Sequence, residues 1–239
     1  MTADSFSFCQ ELQELLTSRR ALGRNGKVFE SIGTLSSVNN LITIRNLCLA
    51  LKPRRTLEVG LCFGSSALVF TASHREAGHP PERQHIALDP FQASSWADCG
   101  LLTIDRAGLS GWLDFRPVFS SLELPVLLRE NRDFDLIYID GSHIFEDVMV
   151  DAYFTSKLLA QDGIVLFDDS TDPHVAKVLR FIHANFGEIL APFPLDSFRA
   201  KSANSLKYHV AKFLGRSQLT AFQKLKVSDR PWNAPFRNF

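Results

Sequence analysis

The run from Thr56 to Ser66, Thr-Leu-Glu-Val-Gly-Leu-Cys-Phe-Gly-Ser-Ser, constrains this chain more than any other segment. It reads as a short buried strand, a glycine turn and the first residues of a helix. Gly60 and Gly64 let the backbone bend tightly and approach a ligand closely. Ser65 is placed to accept from the first free N–H groups of the helix. A second strand, His85-Ile-Ala-Leu-Asp89, then ends in a carboxylate. Doubly wound folds hold a nucleoside with such a strand–turn–helix–strand–acid unit, the loop taking one end and the acid the ribose hydroxyls. The glycines are spaced Gly-x-x-x-Gly rather than Gly-x-Gly-x-x-Gly, which argues against the pyrophosphate of a dinucleotide.

From Thr56 onward, strands and helices alternate. Strands are predicted at Thr56–Val59, His85–Asp89, Trp112–Arg116, Asp135–Asp140 and Gly163–Asp168. Helices are predicted at Ser65–Glu76, Ser95–Ala107, Leu122–Glu130, Phe145–Ala160 and Val175–Phe186, the last started by Asp172 and Pro173. This alternation predicts an α/β fold: a doubly wound, mostly parallel sheet covered on both faces. Two further strands, Glu188–Ala191 and Lys207–Val210, are expected as an antiparallel edge pair. Upstream, Phe8, Leu12, Leu15 and Leu16 mark a helix over Ser5 to Arg20, and Arg24–Lys27 reads as a turn. Ser36 or Ser37 caps a second helix that ends near Pro53. The expected organisation is an N-terminal helical extension over residues 1–52 serving as lid or dimer surface, a core over 53–218 and a tail over 219–239.

Composition closes off several classes. The chain has 239 residues, 45% hydrophobic and 22% charged, with a formal net charge of zero. That balance suits a globular protein with a real core. Without a basic run, nucleic acid is not an expected partner. No apolar stretch reaches the ~20 residues that span a bilayer, so no membrane partner is expected either. The 20 Phe residues read as core. Cys9, Cys48, Cys62 and Cys99 are scattered without a Cys-x-x-Cys pair, which fits reduced thiols in a cytoplasmic protein rather than a zinc site. The first residues carry no basic stretch followed by an apolar run, so no leader is expected.

Asp135-Leu-Ile-Tyr-Ile-Asp140-Gly-Ser-His143 is the second informative segment. An apolar strand delivers Asp140 to its C-terminal end, and Gly163-Ile-Val-Leu-Phe-Asp168-Asp169 repeats the pattern. Carboxyl ends of parallel strands share one edge, where open α/β sheets bind ligands. Asp140, Asp168 and Asp169 are therefore expected to converge. Crowded carboxylates repel, and a hard divalent cation such as Mg²⁺ relieves that repulsion. His143, three residues past Asp140, is a candidate general base, with helix capping as the alternative. His174 is a weaker candidate. His74, His79, His85, His183 and His209 show no constellation and read as surface or packing residues.

Taken together, Leu57–Ser65, Ala87–Pro90, Asp135–His143 and Gly163–Asp169 resemble, in order, the motifs of class I S-adenosylmethionine (SAM)-dependent methyltransferases. Within that fold the chain resembles metal-assisted O-methyltransferases of the catechol and caffeoyl-coenzyme-A type. Its Asp-Gly-Ser-His form is closer to bacterial enzymes acting on macrolide sugars. The resemblance implies a seven-stranded Rossmann-like sheet and methyl transfer from SAM to a small-molecule hydroxyl. It implies a cofactor site drawn from Glu58, Gly60, Gly64, Ser65, Asp89, Asp140 and Ser120 or Ser121. It implies a metal held by Asp140, Asp168 and Asp169, with His143 as base. A metal-independent transferase acting on N, C or O is the alternative, and a homo-oligomer is left open.

Overall fold

The computed structural model describes residues 6–82, 84–200, 217–227 and 230–239. The expected strand Lys207–Val210 lies outside the described residues. Helices α1 (Gln10–Ser18) and α2 (Val38–Leu51) flank a small antiparallel hairpin, β1 (Ala21–Leu22) and β2 (Val28–Phe29). The predicted turn at Arg24–Lys27 closes this hairpin. Helix α2 begins at Ser37, whose side chain accepts from the Asn40 N–H.

Contacts divide the chain into two compact units. The first comprises Met1–Phe119 with Asp196–Ser205. Its three sheet strands are β3 (Thr56–Val59), β4 (His85–Leu88) and β5 (Leu113–Arg116), parallel and in the order β5-β4-β3. Thr56 pairs with His85, and Val59 with Leu88. Every residue of β3 and β4 is buried, as expected of a sheet covered on both faces. Helix α3 (Ser65–Glu76) follows β3. Helix α4 (Cys99–Arg106) starts later than the predicted Ser95, because Ala97 and Asp98 hold φ of 49° and 55°, outside the right-handed helical region.

The second unit comprises Ser120–Leu195 with Leu206–Phe239. It holds α5 (Ser120–Arg129), β6 (Phe134–Ile139), α6 (Phe145–Leu158), β7 (Leu159–Phe167), α7 (Pro173–Asn185), β8 (Leu190–Pro192) and β9 (Thr220–Lys224). Strand β6 runs parallel to β7, whereas β9 is antiparallel to both β7 and β8. Strand β9 lies in the segment read from sequence as a tail, so the antiparallel pair is β8 with β9. Its five residues alternate too weakly to signal a strand. Their partner is supplied by β7, where Phe167 and Phe222 meet edge-to-face at 6.1 Å. All seven strands form one mostly parallel sheet, the expected fold class. Among the described residues, no helix is long and apolar enough to cross a membrane.

Candidate functional site

Two groups of residues sit at strand ends, one in each unit. In the first, the backbone leaves β3 through Gly60 at φ 94°, passes Cys62 at φ 48° and enters α3 through Gly64 at φ 81°. Gly64 occupies the N-cap position of α3, and no side chain caps the helix. Ser65, expected as the cap, is instead the first helical residue and is buried. A Cβ on Gly64 would lie 3.1 Å from Gly100 Cα, and one on Gly100 would lie 2.9 Å from Cys62 O. The turn and the start of α4 thus approach as closely as two glycines allow.

Asp89 follows β4 and is buried. Its Oδ2 accepts from the N–H groups of Leu61 at 3.3 Å and Cys62 at 2.9 Å, and from Gln92 Nε2 at 2.9 Å. Its Oδ1 accepts from the Phe91 N–H at 2.8 Å. Gln92 also donates to Cys62 O at 2.6 Å. Asp89 therefore braces the glycine turn, a role not evident from the sequence. Four protein donors meet a carboxylate with about four acceptor positions. Glu58 lies fully buried on β3, with His85 Nε2 3.4 Å from its Oε1.

The second group lies beyond β6 and β7. Donor atoms of Asp140, His143 and Asp169 lie within 4.8 Å of one another. Asp140 and Asp169 are half-buried and His143 is exposed. His143 Nε2 stands 3.1 Å from Asp169 Oδ2, and Gln218 Nε2 donates to Asp169 Oδ1 at 3.1 Å. Asp169 itself adopts φ 45°, a strained conformation for a non-glycine residue and one that clusters at functional sites. Sequence does not single out Gln218, because it is the last residue of the core expected over 53–218 and belongs to no motif there.

Asp168, expected beside Asp140 and Asp169 as a ligand, stands outside this cluster. It is buried, its Oδ2 bonds the Tyr138 hydroxyl, and its Oδ1 accepts the Asp169 N–H at 2.8 Å. The Tyr138 hydroxyl also reaches Asp140 Oδ2 at 3.0 Å. Asp168 and Asp169 both lie past the end of β7, and the backbone turns at Asp169, where φ is 45°. His143 takes the place expected of Asp168. His174 is occupied as a helix cap, its Nδ1 accepting the Phe145 N–H at 3.1 Å at the start of α6. Ser120, at the start of α5, bonds the buried Asp151 of α6. Burial pushes the Asp151 carboxyl up to about 7; the Ser120 bond opposes that rise and the Asp147 charge adds to it.

Two half-buried carboxylates and an imidazole make a donor set that fits one divalent cation. The imidazole moves its preference from Mg²⁺ toward softer ions, while the carboxylates still suit Mg²⁺ and Mn²⁺.

Residues 57–170 match the family model of a methyltransferase domain. No curated protein matches the chain in sequence. Among solved structures, it is similar to an O-methyltransferase from Bacillus cereus in complex with SAH, with TM-score 0.56 and 17% identity over 81% of this chain and 84% of that one. It is similar to the O-methyltransferase TomG from Streptomyces achromogenes, involved in tomaymycin synthesis and in complex with SAM, with TM-score 0.57 and 17% identity over 81% and 82%. The SAH-bound methyltransferase PaMTH1 from Podospora anserina gives TM-score 0.55 and 16% identity over 82% of each chain.

Proposed function

We propose that this chain, which carries a methyltransferase domain of the class I fold, transfers the methyl group of SAM to a hydroxyl of a small molecule with help from a divalent cation. The observation that carries the metal reading is the convergence of Asp140, His143 and Asp169. In the reaction the sulfonium S–CH₃ bond breaks as the O–CH₃ bond forms. The hydroxyl proton leaves, and the sulfur departs as a neutral thioether.

The protein's contribution begins at the glycine turn, where the backbone of Gly60 to Gly64 receives the methionine end of the donor. Asp89 fixes that turn through the N–H groups of Leu61 and Cys62. Such positioning supplies much of the barrier reduction when two reactants are held in line, up to ~7–11 kcal/mol. A cation at the carboxylate cluster supplies positive charge that stabilises an oxyanion. Asp140, His143 and Asp169 would hold it. Tyr138 steadies Asp140, and Gln218 steadies Asp169. Positioning by such partners is worth about 10–100-fold in metal affinity.

A second reading is favoured by the 3.1 Å contact of His143 with Asp169. Without a cation, Asp169 orients the imidazole as a general base, and His143 takes the hydroxyl proton directly. Calorimetric titration of the purified protein with SAM, followed by turnover of a hydroxylated acceptor panel after exhaustive chelation, tests both. SAM binding with activity lost on chelation and restored by Mg²⁺ or Mn²⁺ supports the first reading. Full activity after chelation transfers the case to the His–Asp pair, and failure to bind SAM removes both.

A further inference from the structure

The first unit contains a chain of polar side chains of which only Glu58 belongs to the cofactor set that the resemblance implies. His79 Nδ1 lies 2.9 Å from His74 Nδ1. His74 Nε2 lies 2.8 Å from Thr56 Oγ1, which lies 2.8 Å from His85 Nδ1. His85 Nε2 lies 3.4 Å from Glu58 Oε1. These last two atoms and Glu58 Oε2 are buried and make no hydrogen bond. His79 is half-buried, in the turn after α3, while His74, Thr56, His85 and Glu58 are buried. Nothing in the residue order marks this chain, because its members are scattered. Register creates it: Thr56 and His85 are paired residues on parallel strands, and α3 lays His74 over them.

Counting protons shows what such a chain can do. Each contact short enough for a hydrogen bond holds one hydrogen. With Glu58 ionised, every donor points inward: His79 Nδ1–H to His74, His74 Nε2–H to Thr56, the Thr56 hydroxyl to His85, and His85 Nε2–H toward Glu58. All three imidazoles are then neutral, and His79 Nε2 carries no proton. With Glu58 protonated, every donor points outward, and His79 Nε2 carries the hydrogen. The two arrangements differ by one proton overall.

We propose that His79, His74, Thr56 and His85 form a proton relay that sets the charge of the buried Glu58 from the protein surface. A proton bound at His79 Nε2 displaces the Nδ1 proton of His79 onto His74 Nδ1. The His74 Nε2 proton passes to Thr56, the Thr56 hydroxyl proton to His85 Nδ1, and the His85 Nε2 proton to Glu58 Oε1. One proton enters and one carboxylate is neutralised. The last step requires the 3.4 Å gap between His85 Nε2 and Glu58 Oε1 to shorten.

The surroundings favour passage of the proton over its storage. Phe70 stacks on the buried His85 ring at 4.7 Å and shields it from water. Burial pushes His74 down to about 3, and the neighbouring His85 and His79 rings add to the fall. The crevice beside His74 is lined by Cys48, Lys52, Phe70 and Ser73. Of the other titratable groups packed there, Cys48 is held as a thiol by a pKa pushed up to about 12 by burial, and Arg45 is engaged by Ser73 and Glu76. The relay ends two residues before Gly60, so the charge it sets lies at the root of the glycine turn.

Imidazole ¹⁵N NMR of the full chain tests this, with no need for methyl-transfer activity. The expected result is that His74 and His85 stay neutral between pH 5 and 9 yet exchange their Nε2–H tautomer for Nδ1–H together, in one step, as pH falls. Glu58→Gln should abolish that step. Thr56→Val should uncouple His74 from His85, while Thr56→Ser, which keeps the hydroxyl and guards against a packing artefact, should preserve the joint change. His85 becoming an imidazolium beside an ionised Glu58 would overturn the relay in favour of a fixed ion pair. A joint change surviving in Thr56→Val, or independent tautomer changes in the wild type and Thr56→Ser, would also overturn it.

Discussion

The Asp89 carboxylate accepts the backbone N–H of Cys62 at 2.9 Å, tying the end of β4 to the glycine turn that follows β3. Leu61, Phe91 and Gln92 donate to the same side chain. An acid expected only to bind ribose hydroxyls thus also shapes the turn before any ligand arrives. Asp89→Ala is expected to weaken SAM binding by ~1.5–3 kcal/mol, the worth of hydrogen bonds to a charged group. Because the bracing exists without ligand, the same substitution should lower the ligand-free unfolding temperature. Calorimetry and thermal melts separate the effects. An unchanged melt with weakened binding would confine Asp89 to ligand contact, and unchanged binding would remove it from the site.

For the cation site proposed at Asp140, His143 and Asp169, the comparison of three carboxylates is decisive. Asp140→Asn and Asp169→Asn are expected to abolish Mn²⁺ binding measured by titration calorimetry, since each supplies a charged oxygen to the cluster. Asp168→Asn should retain binding within about 10–100-fold, because its side chain supports Tyr138 and the Asp169 N–H. Loss of binding in Asp168→Asn as complete as in Asp140→Asn and Asp169→Asn would restore the ligand set expected from sequence.

Much of this arrangement was legible from residue order. The strand at Thr56–Val59 and the helix at Ser65–Glu76 fall at their predicted bounds, because the glycine turn between them admits few alternatives. Asp172 caps α7 as expected, accepting the His174 N–H at 2.8 Å. Tertiary effects were not legible. Strand β9 depends on pairing with β7, not on its own pattern. The choice of His143 over Asp168 depends on the backbone turn at Asp169. The linkage of His74, Thr56 and His85 depends on strand register, which single residues do not announce.

His143 separates the two functional readings through kinetics. If it takes the acceptor proton, His143→Ala should lower kcat by ~10²–10⁴-fold and remove the acidic limb of the pH profile, with SAM affinity nearly unchanged. If it serves as a metal ligand, added Mn²⁺ at high concentration should restore much of the lost rate. A drop of less than about tenfold with the acidic limb retained would leave His143 with neither role.

Asp151 gives a prediction independent of catalysis. Burial within α6 holds its carboxyl at about 7, whereas an exposed aspartate in the unfolded chain titrates near ~3.9. Between these values the native state binds a proton that the unfolded state has released. Stability should therefore fall as pH rises from about 4 to 7 and level off above. Asp151→Asn removes the ionisation while keeping the shape. It should match the wild type near pH 4 and exceed it at pH 8 by an amount on the order of 2–4 kcal/mol, measured by urea unfolding. Ser120→Ala should extend the fall to higher pH, since the Ser120 bond lowers the Asp151 pKa. An Asp151→Asn protein less stable than wild type at pH 8 would mean that the native state stabilises the carboxylate, the reverse of what its burial implies.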